Sequence, residues 1–222
     1  MNDELKAARE FWAIAQTYPT TKEEVYPDHA RAHGFDQAKG KVLEYGCGGG
    51  SDTMSLLRRG AEVWYADIVH GNVELTHQRV DDLGHDEIAH PVFLDETTPL
   101  PFSNNFFNMV TCHGVAHHIV DPKPLIEEFH RVLAPAGGLY LMLYTEKLHE
   151  YFKQKIGELV VEHGISENKA FAWCTDAEGS PWADWYTEER GRALLEECGF
   201  NVKDTVEYSD RYFRTFQAVR SP

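Results

Sequence analysis

Residues 41–50 constrain this chain more than any other segment. Lys41-Val-Leu-Glu-Tyr45 is a short apolar strand that runs into Gly46-Cys-Gly-Gly-Gly50, with Ser51 and Asp52 at the entry of a helix. A strand that feeds closely spaced glycines into a helix start brings bare backbone up to a ligand, because no Cβ stands in the way. The plainer reading is a tight strand-to-helix turn with no ligand. The same alternation continues along the chain. A helix over Asp52–Arg59 is followed by a strand, Glu62–Ala66, that ends at Asp67. A helix over Asn72–Leu83 is followed by a strand, Pro91–Leu94, that ends at Asp95. Phe106–Cys112, a helix over Leu125–Leu133 and a strand over Leu139–Leu143 repeat the unit, with the break Pro135-Ala-Gly-Gly138 between the last two. A helix over Glu188–Cys198 and two strands, Asn201–Tyr208 and Tyr212–Val219, complete it. Strands alternating with amphipathic helices read as βαβ units around a parallel sheet.

Two regions stand outside this rhythm. Residues 1–40 read as helical with an irregular stretch at 17–21. Residues 145–186 carry Tyr151, Phe152, Phe171, Trp173, Trp182, Trp185 and Tyr186 without strand alternation. An insertion there falls at the carboxyl end of the sheet, where open α/β folds bind ligands. The expected organisation is one domain over 1–222: an N-terminal lid (1–40), a cofactor-binding core (41–144), a cap insertion (145–186) and a C-terminal helix with strands (187–222).

Charge narrows the partners. Lys plus Arg is 21 and Asp plus Glu is 36, so 21 − 36 leaves −15. Such a surface is poorly suited to gripping nucleic acid phosphates directly or to docking on anionic membranes. Cys47, Cys112, Cys174 and Cys198 form no CxxC pair and suit a reducing cytoplasm. The N-terminus lacks an apolar signal core, and no apolar run reaches the ~18 residues of a membrane span. A cytoplasmic protein acting on a small molecule, neutral or cationic, is the expectation; the oligomeric state is open.

The glycine loop does not match G-x-G-x-x-G, since the third glycine falls on Ser51, and no GK[ST] follows. Asp67 lies roughly 20 residues past the glycines at the end of the next strand, where a carboxylate can accept both hydroxyls of a ribose. A helix N-cap is the structural role for the same residue, and the two are compatible. Further blocks follow in order: Asp95-Glu-Thr-Thr-Pro-Leu-Pro-Phe102, Phe106-Phe-Asn-Met-Val-Thr-Cys-His-Gly-Val-Ala-His-His118, and Asp121-Pro with Glu128-Phe-His-Arg-Val-Leu-Ala-Pro-Ala-Gly-Gly138. Together with Glu44-x-Gly46-x-Gly48, these resemble the motif series of the class I S-adenosylmethionine-dependent methyltransferases, nearest to their ubiquinone/menaquinone-type and small-molecule members. The resemblance covers about residues 41–145.

That resemblance implies an α/β, Rossmann-like fold. Its seven-stranded, mostly parallel sheet carries helices on both faces, has an antiparallel last strand, and is covered by the N-terminal segment and the aromatic insertion as lids. The implied cofactor is S-adenosylmethionine. Gly46, Cys47 and Gly48 would line its methionine part, with Glu44 ordering the loop and reaching the ammonium through water. Asp67 would hold the ribose, Ile68 the adenine face, Asp95 and Glu96 the adenine edge, and His113 would sit beside the sulfonium. Tyr18 lies where related enzymes carry a covering tyrosine. Asn108 and Ala136 depart from the family's aspartate and glycine.

His113, His117 and His118 form the most chemistry-like cluster. A metal needs convergent ligands, and a strand-ending His113 does not converge with His117, so no metal is expected. An imidazole can serve as general base near pH 7; His117 is the first candidate and His118 the second, with partly buried helix-start histidines as the plain alternative. Catalysis of methyl transfer rests chiefly on alignment and water exclusion. Aromatic faces with Asp176, Glu178 or Asp184 nearby suit a cationic or amine-bearing substrate. The expected activity is methyl transfer to an oxygen or nitrogen of a small molecule. An NAD-dependent oxidoreductase and a non-catalytic S-adenosylmethionine-binding protein are the rivals.

Overall fold

The structure is a computed structural model that describes residues 3–13, 22, 26 and 28–221. Its framework is a seven-stranded sheet in the order β3-β2-β1-β4-β5-β7-β6. The strands are β1 (Lys41–Tyr45), β2 (Glu62–Asp67), β3 (Ala89–Phe93), β4 (Phe107–Cys112), β5 (Leu133–Tyr144), β6 (Phe200–Tyr208) and β7 (Phe213–Arg220). Neighbours among β1–β5 pair in parallel, and β7 runs antiparallel to both β5 and β6. The order reverses between β1 and β4, and ligands bind at the carboxyl ends of strands beside such a point.

Helices cover both faces, which is why the central strands are apolar almost without interruption. Val42, Val63, Tyr65 and Met109 face Leu56 and Leu57 of α3 (Ser51–Arg58) and Val73 and Val80 of α4 (His70–Leu83). On the other side Leu43, Val110, Leu139 and Leu141 pack with Ile126 and Phe129 of α5 (Lys123–Val132) and Leu195 of α8 (Glu188–Glu197). Before the sheet come α1 (Asp3–Trp12) and the short α2 (His29–Ala32).

Residues 145–186 fold as two helices, α6 (Glu146–His163) and α7 (Glu167–Thr175), followed by an irregular strap. Their starts are set locally: Thr145 accepts from the Leu148 N–H and Ser166 from the Lys169 N–H. Leu148, Ile156 and Phe171 then pack on Met142, Tyr144, Val206 and Tyr208, so the insertion does cover the β5–β7–β6 end of the sheet.

Two details depart from the sequence expectation. β5 begins at Leu133, not Leu139, because the Pro135–Gly138 break is absorbed as a bulge: Phe107 pairs with Leu133, and Met109 with Gly138. Ala136 takes the left-handed conformation (φ 62°) that the turn demands. Asn108 anchors the neighbouring strand, accepting the Lys41 N–H at 3.0 Å.

Candidate active site

A cavity of about 890 Å³ opens at the carboxyl ends of β1, β2, β4 and β5. At one end lies the glycine loop. Gly46 and Cys47 donate their N–H groups to the Ala66 carbonyl at 2.7 and 3.0 Å, which fastens the loop to the end of β2. A side chain at position 46 would run into Val115, its Cβ lying 2.1 Å from Cγ2, whereas a Cβ at Gly48 would meet nothing within 4 Å. Gly46 is thus required for packing, and Gly48 leaves room.

Asp67 stands at the tip of β2 and lines the cavity. Its carboxylate accepts from Gly48 N at 2.9 Å, Val69 N at 2.8 Å and Asn72 Nδ2 at 3.2 Å. It therefore organises both the glycine loop and the start of α4, with lone pairs left over. Burial raises its pKa, opposed by the Val69 and Gly48 N–H groups. Ile68, Glu96, Thr97 and Thr98 continue the wall.

Other predicted residues are placed differently. Glu44 is buried behind the loop, where it accepts from the Thr53 hydroxyl; burial, then the Asp52 charge, raises its pKa well above the usual range. Its carboxylate is not part of the cavity wall. Asp95 also lies off the wall: its side chain is 87% exposed, 3.6 Å from His70. What Asp95 supplies is a backbone carbonyl which, with that of Leu94, accepts from Arg9 and ties α1 to the loop after β3. Tyr18 lies outside the described residues.

Under the junction of the cavity's two ends is a buried polar plug that sequence reasoning missed. Asp52 accepts from His29 Nε2 at 2.9 Å and from His113 Nδ1 at 3.0 Å, and Lys22 Nζ lies 3.8 Å away. His33 stacks on His113 (4.3 Å between centroids), and the His29 ring lies tilted against it (4.6 Å). Ligand atoms of His29, His33 and His113 lie within 4.8 Å of one another, but Asp52 already binds two of the three rings. Desolvation by burial is the main influence on the titrating groups. It lowers His33 well below the imidazole range and His113 to about 3. Asp52 is instead held well below the carboxylate range, since Lys22, His29 and His113 together overcome its burial. Nothing in the local spacing of residues 22, 29, 33, 52 and 113 signals that they meet.

Of the two base candidates, only His118 lines the cavity. Its Nδ1 donates to the Trp182 carbonyl at 2.8 Å, which fixes the tautomer with the lone pair on Nε2. Asp184 N donates to the His117 carbonyl at 2.8 Å, so the insertion grips this turn twice. His117 itself is 0% exposed and stacks on Tyr144 at 3.7 Å. Burial lowers its pKa well below the imidazole range, and its side chain is not part of the cavity wall. Of the two histidines, His118 therefore faces the cavity and His117 is buried behind it. Around His118 stand Trp12, Tyr144, Asp176 and Trp182, and Met142 and His113 line the same cavity.

Residues 43–141 match the family model described as a methyltransferase domain. The chain is 28% identical over 158 residues to a ubiquinone biosynthesis O-methyltransferase of Pseudomonas aeruginosa, covering 66% of each chain. It is 29% identical over 167 residues to a demethylmenaquinone methyltransferase of Clavibacter sepedonicus, covering 72% of this chain and 65% of that one. It therefore spans slightly under two thirds of these relatives' length. In fold it is similar to an S-adenosylmethionine-dependent methyltransferase from Aquifex aeolicus, at TM-score 0.66, 18% identity and 99% coverage of both chains. By this sheet order, this series of blocks and this match, residues 43–141 carry a methyltransferase domain, and the chain is similar to the class I S-adenosylmethionine-dependent methyltransferases.

Proposed function

We propose that the protein methylates an oxygen or nitrogen of a small-molecule acceptor, neutral or cationic, with the acceptor seated beside His118. The observation that carries this reading is a single cavity with two unlike ends. One end is lined by backbone and Asp67, the other by aromatic rings and an oriented imidazole. Its volume falls among small-molecule sites of about 300–1,000 Å³. The residues fit the cofactor: Gly48 offers a surface without a Cβ, and Asp67 keeps acceptor capacity toward a ribose.

Each residue's part follows from its place. Gly46, Cys47 and Gly48 border the methionine portion, Ile68 packs on the adenine, Glu96 meets its edge, and His113 sits next to the sulfonium. The bound cofactor supplies a methyl group already activated by the positive sulfur. This chain aligns the acceptor with it and excludes water, a contribution of up to about 7–11 kcal/mol when geometry is ideal. His118 Nε2 takes the acceptor's proton. Trp12 and Trp182 keep solvent from that end, and α1, tied down through Arg9, closes the other.

The four cysteines are all free, which supports a reducing compartment such as the cytoplasm. No helix among the described residues is long and apolar enough to cross a membrane. The test is calorimetric titration with S-adenosylmethionine, followed by detection of S-adenosylhomocysteine when a metabolite pool is added. Folded protein that gives no heat at millimolar cofactor overturns the reading, and NADH binding in its place would favour the oxidoreductase.

A further inference from the structure

The acceptor end of the cavity contains a carboxylate whose charge the protein leaves unmatched. Asp176 follows α7, lines the cavity and has a side chain only 6% exposed. Its Oδ1 accepts from the Tyr144 hydroxyl at 3.0 Å and its Oδ2 from the Thr175 hydroxyl at 2.8 Å. Both partners are neutral. Among the described residues no lysine or arginine lies within 4.0 Å of it, and the nearest ionisable nitrogen is His118 Nε2 at 3.8 Å. The other acids of the insertion are not in this position. Asp184 is paired with Arg190 at 2.5 Å, and Glu178 is exposed. A buried carboxylate held only by neutral donors is costly unless a positive charge accompanies it. Indole rings favour the same kind of ligand, since their faces attract cations. Trp12 and Trp182 supply two here, and Trp12 lies 4.8 Å from the His118 ring.

We propose that the acceptor is an amine, bound as its ammonium between Asp176 and the Trp12–Trp182 wall, and that phenols are disfavoured at this site. The proposal rests on reading the cavity as the methyl-transfer site. A phenol must lose its proton before attack, and the Asp176 carboxylate opposes the resulting anion. An ammonium meets no such conflict. It donates to Asp176 and passes one proton to His118 Nε2, so the positive charge moves from nitrogen to imidazole and stays beside the carboxylate. The freed lone pair forms the nitrogen–carbon bond while the carbon–sulfur bond breaks with its electron pair on sulfur. The products are an N-methylammonium, S-adenosylhomocysteine and an imidazolium that returns its proton to water. The Pseudomonas aeruginosa relative acts, by its name, as an O-methyltransferase of ubiquinone biosynthesis; Asp176 separates this chain's acceptor from a quinol.

The experiment compares 2-phenylethylamine with its neutral counterpart 2-phenylethanol and with 4-ethylphenol. Binding is measured calorimetrically at pH 7, with the protein both free and saturated with S-adenosylhomocysteine. The amine is expected to bind at least about tenfold more tightly than either oxygen compound, and Asp176→Asn should erase that preference. Equal binding of the three, no binding at millimolar concentration, or a preference that survives Asp176→Asn would each overturn the proposal. The three-ligand comparison uses unaltered protein, so it stands even if the variant fails to fold. Failure of S-adenosylhomocysteine to bind would strike the cofactor reading instead. The amine preference of the free protein remains a separate measurement.

Discussion

Where β1 and β2 end, the cavity wall is mostly main chain: Gly46, Cys47 and Gly48, pinned by the Ala66 carbonyl and by one carboxylate, Asp67. Where β4 and β5 end, it consists of side chains brought from separate segments: Trp12 from α1, His118 from the turn after β4, Tyr144 from β5, and Asp176 and Trp182 from the insertion. The first construction depends on a local run of some twenty residues. The second depends on tertiary packing across 170 positions, from Trp12 to Trp182. A backbone site can stay fixed while the side-chain site is rebuilt for another acceptor, and a scaffold that hosts many functions works in this way.

The comparison implies that the two ends can be damaged independently. The largest effect is expected from His118→Ala. On the proposed reading, removing the base should lower kcat by about 10²–10⁴ while leaving S-adenosylhomocysteine affinity unchanged. For an amine acceptor the loss should shrink as pH rises, because the free amine then arrives without a base. A rate–pH profile of the variant checks this. A rate within twofold of the parent, or a matching loss of cofactor affinity, would dissolve the division into two ends.

Asp67→Ala is the reverse case. It removes the carboxylate expected at the ribose and the acceptor for Gly48 N and Val69 N. At about 1.5–3 kcal/mol for hydrogen bonds to a charged group, cofactor affinity should fall roughly 10- to 100-fold. Amine binding to the cofactor-free protein should persist. Calorimetry with each ligand separates the outcomes, and loss of both would mean that Asp67 merely keeps the domain folded.

These constructions also explain what could be read before folding. The strand–glycine–helix run, Asp67 and the seven strands are local patterns, set by alternation, glycine spacing and an acid at a strand end; the structure keeps them with shifts of a residue or two, apart from the start of β5. Glu44 and Asp95 are legible from spacing, but their surroundings are not: one is turned into the core against Thr53, the other outward against His70. His117 and His118 are adjacent in sequence, and only packing against Tyr144 and Trp182 tells the buried imidazole from the one oriented along the cavity wall. The plug of His29, His33, Asp52 and His113 joins segments whose spacing carries no period at all.

That plug joins the two ends, and its ionisation should show in stability. Burial lowers the pKa of His33, His113 and His117, so the unfolded chain takes up these protons first. Their stabilisation is present above the unfolded value of about 6.5 and is lost as pH falls toward the folded value, about 3 for His113. Each histidine contributes up to about 1.4 kcal/mol per pH unit. Glu44 and Asp67, whose pKa values burial raises, act in the opposite sense above about pH 4 and offset part of this loss. The urea midpoint should therefore drop between pH 7 and pH 5. A flat midpoint would mean that these histidines are not shielded from water in the folded chain.

The smallest effect is the sharpest test of the backbone claim. Cys47 lines the glycine-loop end of the cavity, yet its thiol is buried against Thr76, whose hydroxyl reaches Sγ at 3.8 Å. Burial pushes the pKa of that thiol well above its usual range, so it stays a neutral thiol. Cys47→Ala keeps the N–H that bonds to Ala66 and removes only a small apolar group with a weak sulfur contact. Cofactor affinity should stay within about twofold, an energy change of under 1 kcal/mol. If Cys47→Ala instead weakened binding as much as Asp67→Ala, the glycine loop would be acting through a side chain. The two ends of the cavity would then be built alike.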